Sequence, residues 1–204
     1  VDYDHRRPGD KNTVYLLGSV HVLRAGDAAL SDVAERAYDD AEQLVMEIDL
    51  DDPGETDPME MLEVMQRKAL LPEGQSLRGV LGSDYESVNR RAQQSGLDLA
   101  LFDRFAPWMV ATTLLQLELA KRGFSAELGI EQVLARRAAA DDKPIQGLET
   151  TAQQLELLAG MPMPMQKRFL VMTLDDSAQI DQEIGELVGA WQTGDTDALA
   201  ALLP

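Results

Sequence analysis

Three short apolar runs constrain the fold of this chain more than any other feature: Val14–Leu17 in "TVYLLGSVHV", Leu44–Ile48 in "QLVMEIDL" and Pro144–Leu148 in "KPIQGLE". Each is continuously apolar or nearly so and is bounded by polar or glycine residues. That pattern fits a parallel strand covered on both faces better than a half-exposed strand, which would alternate. Between the first two runs, Leu30, Val33, Ala34, Ala37, Tyr38 and Ala41 recur at helical spacing, while Asp32, Glu35, Asp39 and Asp40 fall on the opposite face. This reads as a βαβ unit with a right-handed crossover. The expected class is therefore α/β: a small, mostly parallel sheet with a βαβ core, surrounded by many helices.

The helices announce themselves by their ends. Asp57 and Pro58 suit the N-cap and first turn of a helix running to about Lys68. Ser83 can cap a helix that ends before Gly96. The run from Trp108 to Arg122 is apolar nearly all round and closes on Lys121, Arg122 and Gly123, so it should be central. Ser125 opens the next helix, which carries Leu128, Val133 and Leu134. Thr150 and Thr151, each followed three residues on by glutamine, are both candidates for a capping box on a helix ending at Gly160. The methionines between Met161 and Met172 could form a pliable binding surface, but such residues more often fill a core or a helix junction. Two further helices follow, the second with Ile180, Ile184, Leu187, Val188 and Trp191 on one stripe.

Composition narrows the function. With 36 acidic against 18 basic residues the formal charge is −18, which repels phosphate backbones and anionic lipid and argues against nucleic acid as a partner. The absence of cysteine excludes disulfides, thiolate nucleophiles and sulfur-ligated zinc. No apolar stretch approaches the roughly 20 residues needed to span a bilayer, so membrane association would need segments outside this sequence. The polar residues 1–12 are expected to be a flexible segment, with 13–204 a single domain carrying a helical insertion over about 51–140.

Ligands of open α/β sheets sit beyond the carboxyl ends of the strands. Here that edge collects His21 after the first run, Glu47 and Asp49 near the end of the second, and Glu149 after the third. Alternation along a strand would point Glu47 and Asp49 the same way. One imidazole and two or three carboxylates suit a divalent ion of the Mn, Co, Fe or Zn type, which can polarise a carbonyl and acidify water. Glu47 could instead be the general base, tuned upward by burial in its apolar strand. A plainer alternative stays open: His21 donating to a backbone carbonyl and Glu47 pairing with an arginine such as Arg104. A single Gly-x-x-His does not decide the matter, since 15 glycines and two histidines give about 0.15 chance occurrences. His5, in "DYDHRRPGD", reads as solvated. No nucleophile elbow, P-loop or dinucleotide fingerprint is present, and the acidic "EIDLDDPGETD" lacks the spacing of an EF-hand loop.

The phrases "VYLLGSVHV", "LVMEIDL", "APWMV", "ELGIEQVLARRA" and "KPIQGLETTAQQL", in that order, resemble the TraB/GumN family over residues 13 to about 203. That family is related to the TIKI metalloproteases and more distantly to the erythromycin esterases and the ChaN haem-binding proteins. The resemblance makes Gly18 and His21 the family's first Gly-x-x-His, Glu47 its second-strand glutamate and Glu149 a further site position. It implies a metal-dependent hydrolase using Mn, Co or Zn, with His21, Glu47 and Glu149 as ligands, His21 and Glu47 in catalysis, and a peptide or protein as substrate. The other reading is a non-catalytic protein that sequesters a peptide or haem in the same crevice.

The family pattern also has a second Gly-x-x-His in its C-terminal part, and this sequence has no histidine after His21. With an amphipathic pattern still running at "DALAALLP", the expectation is a chain lacking its C-terminal part and at least one strand. An exposed sheet edge could then recruit a second copy as a homodimer. The resemblance further leans toward export to the periplasm or cell envelope, with any signal already removed.

Overall fold

The computed structural model describes residues 13–27, 29–49, 59, 62, 63, 65–175 and 180–202. Along the chain run α1 (Asp32–Asp40), β1 (Leu44–Met46), α2 (Leu77–Leu81), α3 (Tyr85–Gln94), α4 (Pro107–Lys121), α5 (Ile130–Ala140), β2 (Ile145–Gly147), α6 (Thr151–Ala159), α7 (Met163–Asp175), α8 (Ile180–Thr193) and α9 (Thr196–Leu202). The protein is helix-rich, with β1 and β2 forming a small parallel sheet, and its class is α/β. The chain divides into two compact units: Val1–Met46 with Arg122–Gln146 and Gln179–Pro204, and Glu47–Lys121 with Gly147–Ala178. The N-cap expected at Asp57, the solvated His5 and the flexible segment 1–12 lie outside the described residues.

In the first unit, α1 begins at Ser31, whose hydroxyl accepts from the Ala34 N–H at 3.3 Å. Its buried Tyr38 packs with Leu134 and Ile130 of α5. The Tyr38 hydroxyl donates to Asp141 at 3.0 Å, and both Arg137 and Lys143 lie over its ring. Burial, helped by the Asp141 hydrogen bond, pushes this phenol above its ordinary range. Arg137 also binds Glu35 and Asp39, so α1 is fastened to α5 by charge on one side and apolar packing on the other. A second cluster joins Val20 and Leu23 to Ile184, Leu187, Val188 and Trp191 of α8, which bears out the predicted stripe for those four residues.

The second unit is organised by α4, whose apolar circumference is matched by burial of Trp108, Val110, Ala111 and Leu114. Leu170 and Leu174 of α7 and Tyr85, Val88 and Ala92 of α3 complete that core. Trp108 is only 1% exposed, and its indole N–H donates to the Lys68 carbonyl at 3.1 Å, satisfying the one polar atom it buries. Met161 and Met163 pack against this core, as the filling role for the methionines predicts, whereas Met165 and Met172 are exposed.

Three expectations need correction. The run Val14–Leu17 forms no strand: Val14 and Leu16 are 64% and 58% exposed, and no strand pairs with it among the described residues. The predicted βαβ unit therefore lacks its first strand. A parallel strand needs cover on both faces, and here Leu16 and Leu17 are exposed and line an apolar groove of about 350 Å³ with Leu30, Leu44 and Trp191. The other two strands are shorter than predicted. Leu44 donates to the Pro144 carbonyl at 2.9 Å, but the amides of Leu148 and Glu149 both converge on the carbonyl of Glu47, at 3.2 and 2.7 Å, and the ladder ends there. Finally, α3 starts after Asp84, not Ser83, because a 3₁₀ turn at Gly82–Asp84 continues directly from α2.

Candidate functional site

His21 stands on a loop that the first unit fixes residue by residue. The Trp191 indole donates to the Gly18 carbonyl at 2.6 Å, and the Ile130 amide donates to the Val20 carbonyl at 3.1 Å. Leu23 is fully buried and forms an antiparallel bridge with Ser125, exchanging hydrogen bonds of 3.3 and 2.9 Å. Arg24 closes the loop by stacking over Phe124 and pairing with Asp27 at 3.1 Å. Gly129 sits immediately below: a Cβ there would lie 2.3 Å from the His21 carbonyl oxygen, so only glycine lets the helix start come this close.

This approach brings Glu131, in the first turn of α5, under the imidazole. Its Oε1 lies 2.5 Å from His21 Nδ1, with side-chain exposures of 19% for the glutamate and 69% for the histidine. Burial pushes the Glu131 carboxyl upward, but hydrogen bonds from His21, Ser19 and its own backbone amide outweigh that and hold it below the usual carboxylate range. The helix N-terminus favours the same anion. His21 thus has a carboxylate beside its Nδ1.

Glu47 and Glu149 belong to the second unit. Both are exposed, so the burial expected to tune Glu47 is absent. The reason is the early end of β1: Glu47 lies one residue beyond it, and the strand alternation invoked for Glu47 and Asp49 does not reach them. Glu47 and Glu149 are nevertheless neighbours, joined by the Glu149 amide on the Glu47 carbonyl. Gln154 of α6 donates to Glu47 Oε2 at 3.3 Å.

The family model described as the TraB/PrgY/gumN family matches residues 6–203. The chain belongs to the TraB/PrgY/gumN family. Its relatives include the uncharacterized protein YbaP of Shigella flexneri and its Escherichia coli K12 counterpart, each 25% identical over 159 residues. That stretch is 76% of this chain and 54% of theirs, so this TraB/PrgY/gumN chain spans about half the length of the curated relatives it matches. No solved structure gives a significant match.

Among the described residues, no group of three or more histidines or carboxylates is gathered closely enough to hold a metal ion. What the first unit does contain is an imidazole whose Nδ1 lies against a half-buried carboxylate. Glu131, Gly129 and Gln154 were not anticipated as site residues. The signal for the first two was the "ELGIEQ" phrase, which places a glycine and an acid at a helix start and reads equally well as ordinary helix capping.

Proposed function

We propose that this protein is a divalent-metal-dependent hydrolase acting on peptides, with His21 as a residue that would hold the ion. The observation carrying the reading is the His21–Glu131 pair on its fixed loop. Such an ion supplies Lewis-acid polarisation of the scissile carbonyl and lowers the pKa of water. Glu47, exposed one residue beyond β1, is proposed as the general base, and its carboxylate accepts a hydrogen bond from Gln154. Family membership agrees with this reading without specifying the reaction.

The test is a titration of chelator-treated protein with Mn²⁺ or Co²⁺, followed by assay on a mixed peptide substrate. His21→Ala should abolish saturable metal binding and hydrolysis together; a metal affinity unchanged by the substitution removes the proposal. The apolar groove of the first unit favours a second reading, a non-catalytic protein that sequesters a peptide or haem. Stoichiometric binding of either, with no product under any of the metals, would select it.

A further inference from the structure

We infer that the apolar groove of the first unit binds a single uncharged aliphatic chain, of the kind carried by a long-chain alcohol or a neutral lipid. The inference rests on the sequestering reading for its biological use and gives that reading a different cargo.

Every residue that lines the groove belongs to the first unit. Leu16, Leu17, Leu30, Val33, Leu44 and Trp191 supply most of its apolar surface. Leu16 is 58% exposed, and Leu17 and Val33 are each 40% exposed, so covering them removes apolar area from water. The volume, about 350 Å³, lies near the lower end of the roughly 300–1,000 Å³ spanned by ligand pockets, which suits one slender chain better than a broad macrocycle.

The polar groups of the lining decide which apolar ligand fits, because their donors are already in use. The Tyr38 hydroxyl donates to Asp141 at 3.0 Å, and the Gln43 amide donates to Gln146 Oε1 at 3.0 Å. The Trp191 indole donates to the Gly18 carbonyl at 2.6 Å, Gln192 to the Asp27 carbonyl at 3.0 Å and the Thr193 hydroxyl to the Gly189 carbonyl at 2.9 Å. Lys143 is the one charged residue lining the groove among the described residues. Its ammonium group donates to the carbonyls of Tyr38 and Ala41 and lies 3.9 Å from the centroid of the Tyr38 ring.

An anionic head group would have to displace those bonds, and the formal charge of −18 repels it at longer range. Haem carries two carboxylates and needs an iron ligand. No histidine or methionine lines the groove among the described residues, and the Tyr38 hydroxyl is engaged. A peptide brings a backbone N–H and C=O at every residue, and burying such groups without partners is costly. An aliphatic chain brings none, which complements a lining of apolar walls and committed donors.

Calorimetric titration with 1-hexanol and 1-octanol tests this. We expect one saturable site whose affinity rises about fourfold for each added methylene, hence roughly 16-fold between the two alcohols. Octanoate, with an anionic head, should bind more weakly than 1-octanol. V33D and L17D place a charge in the lining from two separate segments, each at a position already 40% exposed, and both should abolish alcohol binding while leaving the far-ultraviolet circular dichroism unchanged. Equal affinity for the two alcohols, octanoate bound as tightly as 1-octanol, or alcohol binding that survives both substitutions overturns the inference. Acetyl-trileucine amide and haemin are titrated alongside. Tighter binding of either than of 1-octanol, lost in the same variants, overturns the inference and upholds the sequestering reading with its original cargo. Failure of all the probes to bind defeats both together, and neither result bears on hydrolysis.

Discussion

Gly129 is the residue on which the candidate site depends most directly. Its backbone angles, φ −57° and ψ 151°, suit any amino acid, so substitution meets no conformational penalty and only the collision with the His21 carbonyl remains. Gly129→Ala should therefore lower stability by about 1–3 kcal/mol, as forced overpacking does, whereas Gly18→Ala, with nothing within 4 Å of its Cβ position, should change it little. Urea midpoints of the two variants check this; equal midpoints would show that the loop simply shifts. At this scale the sequence was half readable. His21 was conspicuous because histidine is scarce and follows an apolar run. Glu131 was hidden because an acid in the first turn of a helix needs no explanation beyond the helix dipole, and its partner is far away in sequence.

Among the elements, helix ends were more legible than strands, and the reason is locality. A cap is decided by residues within four positions of one another, and α6 shows the full reciprocal pattern. The Thr150 hydroxyl accepts from the Gln153 amide at 3.2 Å, and the Gln153 side chain accepts from the Thr150 amide at 2.8 Å. Sequence left Thr150 and Thr151 as equals. The structure separates them, since the Thr151 hydroxyl oxygen is buried with no hydrogen-bond partner. Thr150→Ala should cost about 1 kcal/mol, while Thr151→Val, which deletes a buried unpaired hydroxyl and keeps the shape, should be neutral or stabilising. Thermal melts of both variants test the contrast; a larger loss at Thr151 would refute it. Strands depend on partners distant in sequence. Val14–Leu17 has the composition of a buried strand but no ladder partner among the described residues, and apolar content by itself cannot supply one.

For the molecule as a whole, pH sets two limbs of stability. Glu131 is held below the ordinary value of 4.5, so the unfolded chain binds its proton more tightly. Its contribution is complete above that value and is lost as pH falls through the folded one. Tyr38 is raised above 10.0, so its contribution is complete below that value and fades as pH climbs through the folded one. The formal charge of −18 complicates the acid limb, because protonating other carboxylates relieves self-repulsion. The comparison that isolates Glu131 is E131Q against wild type: the stability difference should be present at neutral pH and shrink below about pH 4.5. A difference that stays constant from pH 7 to 3 would assign it to packing instead.

The two tryptophans fall one to each unit. Trp108 is sealed in the core of the second, while Trp191, in the first, holds the carbonyl of Gly18. The protein thus carries its own pair of fluorophores, one insulated from solvent and one bonded to the loop that bears His21. Replacing Trp108 with phenylalanine would leave an emission spectrum whose sole indole is wired to that loop, so that its state can be followed without any added label.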